Sequence, residues 1–437
     1  MNASNNMTDK NLKIVFFGTP EFAVKSLDSL LKAEFDIAAV VTATDKPAGR
    51  GHKMLQSAVK EYAVAHGLNV LQPASLKDPE FVDTLRDINA DLFIVIAFRM
   101  LPEVVWTMPR LGTFNLHGSL LPRYRGAAPI NWAIINGDSE TGVTTFFLKH
   151  EIDTGDIIDQ EKITVGPNEN FGSVYERLMN IGAELTVSTV QRIIDGTLTT
   201  TPQDSEGLES PTPAPKIFKD TCHIDWSKPA QSIHNLIRGV SPVPGAWTNA
   251  ILKNQNMGSS NFQTSVRSSF IKPSNIEHLN SNPNEENTRL LDSLGFLNFR
   301  SIKEATNYTH YEVMSLRYIP RKNEYNPLNS LNETLHIKHQ IDKSPFITYD
   351  SSEKYELNYI MNTFDTNEGP IVKIFKSQVS INRCGFPGDI IVEGQHMFVV
   401  CGDSTSIEIL ELQPAGKKRM PAADYLLGAR IENASFS

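Results

Sequence analysis

Residues 91–97 (DLFIVIA) form a short, almost unbroken apolar run, and such a run has few places to go. Successive side chains of a strand point to opposite faces, so a strand apolar at every position must be covered on both. That requirement selects a mostly parallel sheet layered between helices. The flanking sequence agrees. Residues 13–17 (KIVFF) end in Gly18-Thr19-Pro20, and residues 21–32 then carry Phe22, Leu27, Leu30 and Leu31 at helical spacing. A second unit follows as a strand over 37–42, a polar Gly-containing loop, and a helix over about 57–66. Short strands at 70–71 and 112–116, with a helix over 78–85, continue the alternation. Gly18 is followed by Pro20 and Ala23 where a dinucleotide fold needs its second and third glycines, which excludes a nicotinamide site.

The chemistry concentrates in residues 115–156, NLHGSLLPRYRGAAPINWAIINGDSETGVTTFFLKHEIDTGD. Asn115 and His117 end a strand, and Asp153 opens a loop between strands expected at 142–148 and 157–163. An amide can donate to an oxyanion, an imidazole can pass a proton near neutral pH, and a carboxylate can balance the imidazolium. Those parts suit attack of an amine on a carbonyl carbon. No G-x-S-x-G elbow or Cys–His pair argues for an acyl-enzyme. Spacing alone leaves other readings open: Asn115 can serve a neighbouring turn, His117 a structural hydrogen bond, and Asp153 an Asx-turn.

A helix over 174–194 closes this unit, and residues 196–215 (GTLTTTPQDSEGLESPTPAP) have the composition of a linker. We therefore expect a catalytic domain at 1–205 and a second domain at 206–437. The latter starts with a helix over 229–238 and ends in short strands beyond Pro370, as a small β-barrel would. Between them, about 254–367 is rich in Asn, Ser and Thr, and reads as a partly structured insertion. A chain of 437 residues exceeds one core, so two domains, with a third possible, match the prior. Its net charge of -9 argues against indiscriminate nucleic-acid binding but leaves room for local basic loops. No apolar run approaches the ~18 residues of a membrane span, and residues 1–11 lack a signal-peptide core. A cytoplasmic protein is expected. Cys222, Cys384 and Cys401 are too scattered for a disulfide framework, and the His and Asp spacing suggests no metal site.

The segments NLHGSLLPRYRGAAPINWAI, ETGVTTFF and DTGD together resemble the formyltetrahydrofolate-dependent formyltransferase family. FFGTPEFAVKSLDSL, VVTATDKPAGRGHKM and LELQPAGKKRMPAADYL extend the resemblance to the branch that acts on methionyl-tRNA. It covers nearly the whole chain outside the insertion. The resemblance implies a Rossmann-like sheet followed by an OB-like barrel. It implies that His117 assists proton transfer, Asn115 steadies the oxyanion, and Asp153 orients or charge-balances the imidazole and the departing folate nitrogen. Folate contacts would fall on Ser119, Leu120, Leu121 and Pro122, with Ile96, Ala97 and Phe98 as the opposite wall. Lys46, Arg50 and Lys53, together with Lys417, Lys418 and Arg419, would meet tRNA.

The implied co-substrate is 10-formyltetrahydrofolate, and the implied partner is initiator methionyl-tRNA, taken by a monomer without metal. Three features depart from the pattern: Arg99 and Gln56 stand where glycine and proline are usual, and the insertion interrupts the barrel. Three rival readings stay open: transfer to a small amine such as glycinamide ribonucleotide or an amino sugar, hydrolysis of the formylfolate, or a catalytically dead binding module.

Overall fold

The computed structural model describes residues 12–48, 53–205, 207–252, 369–428 and 434–436. Arg50 and the insertion lie outside them. The first domain contains β1 (Lys13–Gly18), α1 (Glu21–Lys32), β2 (Asp36–Val41), β3 (Lys46–Ala48), β4 (Lys53–Leu55), α2 (Ala58–Ala65), β5 (Val70–Leu71) and α3 (Pro79–Ile88). It continues with β6 (Leu92–Ile96), α4 (Glu103–Trp106), β7 (Thr113–His117), β8 (Arg125–Gly126), α5 (Pro129–Ile135), β9 (Glu140–Phe147), β10 (Ile157–Thr164) and α6 (Phe171–Ile194). One sheet runs β10-β9-β7-β6-β1-β2-β5, parallel from β7 to β5, with β9 and β10 antiparallel at one side.

The expectation for β6 holds at each of its five positions, all buried. Leu92, Ile94 and Ile96 join the core beneath α1 and α6, while Phe93 and Val95 join the core beneath α3. β1 divides the same way, Ile14 and Phe16 to one face and Val15 and Phe17 to the other. The chain passes outward from β1 to β2 and β5, then returns to place β6 on the other side of β1. That reversal leaves a crevice between the loops after β1 and β6, at the carboxyl ends of the strands, where open α/β sheets bind ligands.

Several short elements escape the sequence reading, α5 and the β3–β4 hairpin among them. α5 lies within residues 115–156, where no helix is expected above, yet Pro129 pre-sets the first helical residue and Ile130, Ala133 and Ile134 bury one face. The loop over 44–56 contains the hairpin β3–β4. Its base is anchored where Asp45 accepts from Lys60 (2.6 Å) and Gln72 (2.8 Å). The segment read as a linker behaves otherwise. Thr201 bridges Ile157, and β11 (Pro213–Ala214) pairs in parallel with β8. Thr212 Oγ1 accepts from the Tyr124 amide at 2.9 Å. A Thr- and Pro-rich composition shows the lack of a helix or strand period, not a lack of partners.

The C-terminal part consists of α7 (Ala230–Gly239), β12 (Ala246–Leu252), β13 (Ile371–Ser380), β14 (Ile390–Glu393), β15 (His396–Val400), β16 (Ser406–Pro414), β17 (Met420–Pro421), α8 (Ala422–Gly428) and β18 (Ala434–Phe436). Its antiparallel sheet runs β14-β15-β16-β13-β12-β18, and an Asp389–Ser435 bridge nearly closes it into a barrel. α7 lies against this barrel through Ile233 and Ile237. On its other side the Gly239 carbonyl accepts from Asn131 of α5 at 2.8 Å, and Arg238 donates to the Glu169 carbonyl at 3.1 Å.

Candidate active site

A cleft of about 500 Å³ opens at the crevice between β1 and β6. Its walls come from separate parts of the chain: Phe22 of α1, Ala97 and Phe98 after β6, Asn115 and His117 of β7, Asp153 after β9, and Tyr175 of α6. Asn115, His117 and Asp153 are thus brought together. His117 is 6% exposed, and its Nδ1 stands 3.8 Å from Asp153 Oδ2. That separation is too long for a direct hydrogen bond.

Other partners fix both groups. His117 Nε2 lies 2.8 Å from the Tyr124 carbonyl. A carbonyl only accepts, so Nε2 carries the hydrogen and the Nδ1 lone pair is free in the neutral ring. Asp153 Oδ2 accepts from the Gly126 amide at 2.9 Å. Ala97 (φ 47°), Tyr124 (φ 59°) and Asp153 (φ 56°) all adopt the left-handed region, where residues with a β-carbon are uncommon. Ala97 and Asp153 line the cleft and Tyr124 holds His117 through its carbonyl, so the backbone here is held against its own preference, at about 1–3 kcal/mol each. The Asn115 amide oxygen is buried without a hydrogen-bond partner among the described residues, a cost of roughly 1–3 kcal/mol that an incoming donor would relieve.

The other predicted positions divide. Ala97 and Phe98 line the cleft, while Ile96 lies just inside it, fully buried in the sheet. Ser119, Leu120, Leu121 and Pro122 are not among the residues lining this cleft. Several of this turn's polar groups bond within the domain. Ser119 donates to the Arg123 carbonyl, the Leu121 amide to Thr144 Oγ1, Thr144 to the Ser119 carbonyl, and Gln160 to the Leu121 carbonyl. The Leu121 side chain packs on Phe146 and Ile157.

Lys46 is exposed on β3, and Lys53 falls on β4. Lys417 and Lys418 are exposed, but Arg419 makes a two-point pair with Glu411 (2.5 and 2.6 Å) and lies over the Phe375 ring at 4.3 Å. Arg99 borders the cleft, and its guanidinium donates to the Pro73 and Ala74 carbonyls at 2.6 and 3.0 Å. Where the pattern prefers glycine, this arginine ties two loops together.

A formyl transferase model matches residues 12–190, and a formyl transferase C-terminal domain model matches residues 216–271 and 359–430. The methionyl-tRNA formyltransferase of Bacteroides fragilis is 54% identical over 246 residues, 56% of this chain and 76% of that protein. The chain belongs to the methionyl-tRNA formyltransferase family. The Parabacteroides distasonis member is 56% identical over 248 residues, again 56% of this chain and 76% of its own length. A solved sugar 3N-formyl transferase, WlaRD, crystallised with dTDP and 5-N-formyl-THF, is 18% identical with a TM-score of 0.47, covering 93% of this chain and 99% of that one. As the family's name states, the reaction is formyl transfer. Among the described residues no helix is long and apolar enough to cross a membrane.

Phe22, Trp106 and Tyr175, which also line the cleft, were not anticipated. Each looks in sequence like an ordinary apolar position of its own helix. The role of Tyr124 could not be read either, because it acts through its carbonyl.

Proposed function

We propose that this chain transfers the formyl group of 10-formyltetrahydrofolate to the α-amino group of methionine on initiator tRNA. The single observation that carries the chemistry is the convergence of Asn115, His117 and Asp153 on one cleft at the sheet's switch point. The acceptor nitrogen bonds to the formyl carbon, and the bond from that carbon to N10 breaks. The nitrogen loses a proton and N10 gains one, so the site must accept and return a single proton. His117 suits that task, because Nδ1 has a free lone pair and Asp153 lies near enough to stabilise the imidazolium. Asn115 has two useful ends: its amide N–H can donate to the developing oxyanion, and its unpartnered oxygen can accept from the attacking amine. The flat walls offered by Phe98 and Phe22 support a planar donor, which makes a pterin a fitting occupant. The names of the bacterial relatives support methionyl-tRNA as the acceptor over a small amine.

The test is a labelled-formyl assay with the full chain, using Met-tRNA, uncharged tRNA and free methionine as acceptors. Label should appear on Met-tRNA alone. Formate released without acceptor would replace this reading by hydrolysis, and labelling of an amino sugar or glycinamide ribonucleotide at a comparable rate would replace it by a small-amine transferase.

A further inference from the structure

Gln203 is 5% exposed in the segment whose composition resembles a linker, and all four hydrogen-bonding positions of its carboxamide that face protein are filled. Its Nε2 donates to the carbonyls of Asp153 (2.9 Å) and Gly155 (2.7 Å). Its Oε1 accepts from Arg125 Nε (3.0 Å) and Nη2 (2.7 Å). Carbonyls cannot donate and a guanidinium cannot accept, so the amide has only this orientation. The residue after Arg125 is Gly126, whose amide holds the Asp153 carboxylate. Gln203 therefore joins the main chain of the Asp153 loop to the strand that grips the Asp153 side chain. A left-handed Asp153 persists only where its surroundings over-determine it, and here two carbonyl bonds supply that constraint.

We propose that Gln203 is a positioning residue for formyl transfer, fixing Asp153 relative to His117 from outside the segment that carries the catalytic motifs. This rests on the role given to Asp153 above. A simpler structural role would only anchor residues 201–214 to the domain, and the contact with Arg125 suffices for that.

The two roles separate in Gln203→Glu. The carboxylate keeps, and strengthens, the bond to Arg125 while turning an oxygen toward two carbonyl oxygens. Steady-state kinetics on the full chain with formyltetrahydrofolate and Met-tRNA are compared for Q203E, Asp153→Asn and the double variant. The expected result is a kcat lowered about 10- to 100-fold in Q203E with both KM values nearly unchanged, and little further loss when it is added to D153N. A kcat close to that of the unaltered protein in Q203E, or a loss that multiplies fully with that of D153N, overturns the proposal while leaving the role of Asp153 intact. An unaltered kcat in D153N removes the role of Asp153 itself, and this proposal with it. Should Q203E lose its cooperative melting transition, Gln203→Met, which removes the carbonyl bonds and the bond to Arg125 without adding charge, is compared with Arg125→Met, which removes only the latter: a kcat lowered in Q203M and kept in R125M supports the proposal, and equal losses overturn it.

Discussion

At the scale of single residues, His117 and Gly126 make opposite demands on a substitution. His117→Ala deletes the proton acceptor and one hydrogen bond to the Tyr124 carbonyl, so kcat should fall roughly 10²- to 10⁴-fold while the cooperative melt survives. A chemical quench assay beside a calorimetric scan checks both halves, and retained turnover would refute the role of His117. Gly126→Ala is a backbone problem first. Gly126 has φ +126°, and an added β-carbon would lie 2.6 Å from the Ala214 carbonyl oxygen, in the β8–β11 pairing. Backbone atoms cannot step aside as a flexible side chain can, so stability should fall by about 1–3 kcal/mol. The amide that holds Asp153 would move with it. Denaturant titration measures the first effect and kcat the second. Gly126 and Asp153 could be flagged in sequence as turn residues, but their hydrogen bond spans 27 positions and is decided by the fold.

At the scale of elements, α7 is the part whose docking should depend on pH. His234 is buried, with Nδ1 3.0 Å from Ser377 Oγ of β13 and Nε2 3.2 Å from the Pro167 carbonyl of the first domain. Burial pushes its pKa below the ordinary histidine value, helped by the nearby Arg238 charge and opposed by the bond to Pro167. Protonation thus favours the unfolded chain. The stability linked to this group is fully present above about pH 6.5, the unfolded value, and is lost as pH falls through that value toward the lower folded one. Urea midpoints at pH 7.5 and 5.5 should therefore differ more in the unaltered protein than in His234→Gln, and an equal difference would contradict the linkage. The helix itself was visible from residue spacing, since Ile233 and Ile237 share a face. Its second set of partners was not, because His234 and Arg238 look like solvent-facing polar residues until the loop over 166–169 arrives.

At the scale of the whole molecule, a chain of net charge -9 must meet a polyanion through local clusters. If Lys417 and Lys418 meet phosphates, replacing both with Ala should weaken Met-tRNA binding and lower the slope of log affinity against log salt by about 1 per lost contact. Arg419→Ala should change that slope less, because Glu411 already neutralises its guanidinium. Filter binding across a salt series separates the two, and equal slopes in all three proteins would remove the lysines from the interface.

The layered sheet was legible from residues 91–97 because burial on both faces leaves a local mark that alternation rules can read. Asn115, His117 and Asp153 stood out as candidates for a related reason: each ends a strand or opens a loop where chemistry is expected, within a family pattern. Convergence on one cleft was not local. Sheet order put β1, β6 and β7 side by side, and residues 201–205 became a brace carrying Gln203. Periodicity encodes which face of an element is buried. Which distant element covers it, and which carbonyl a buried amide reaches, is fixed only when the chain closes on itself.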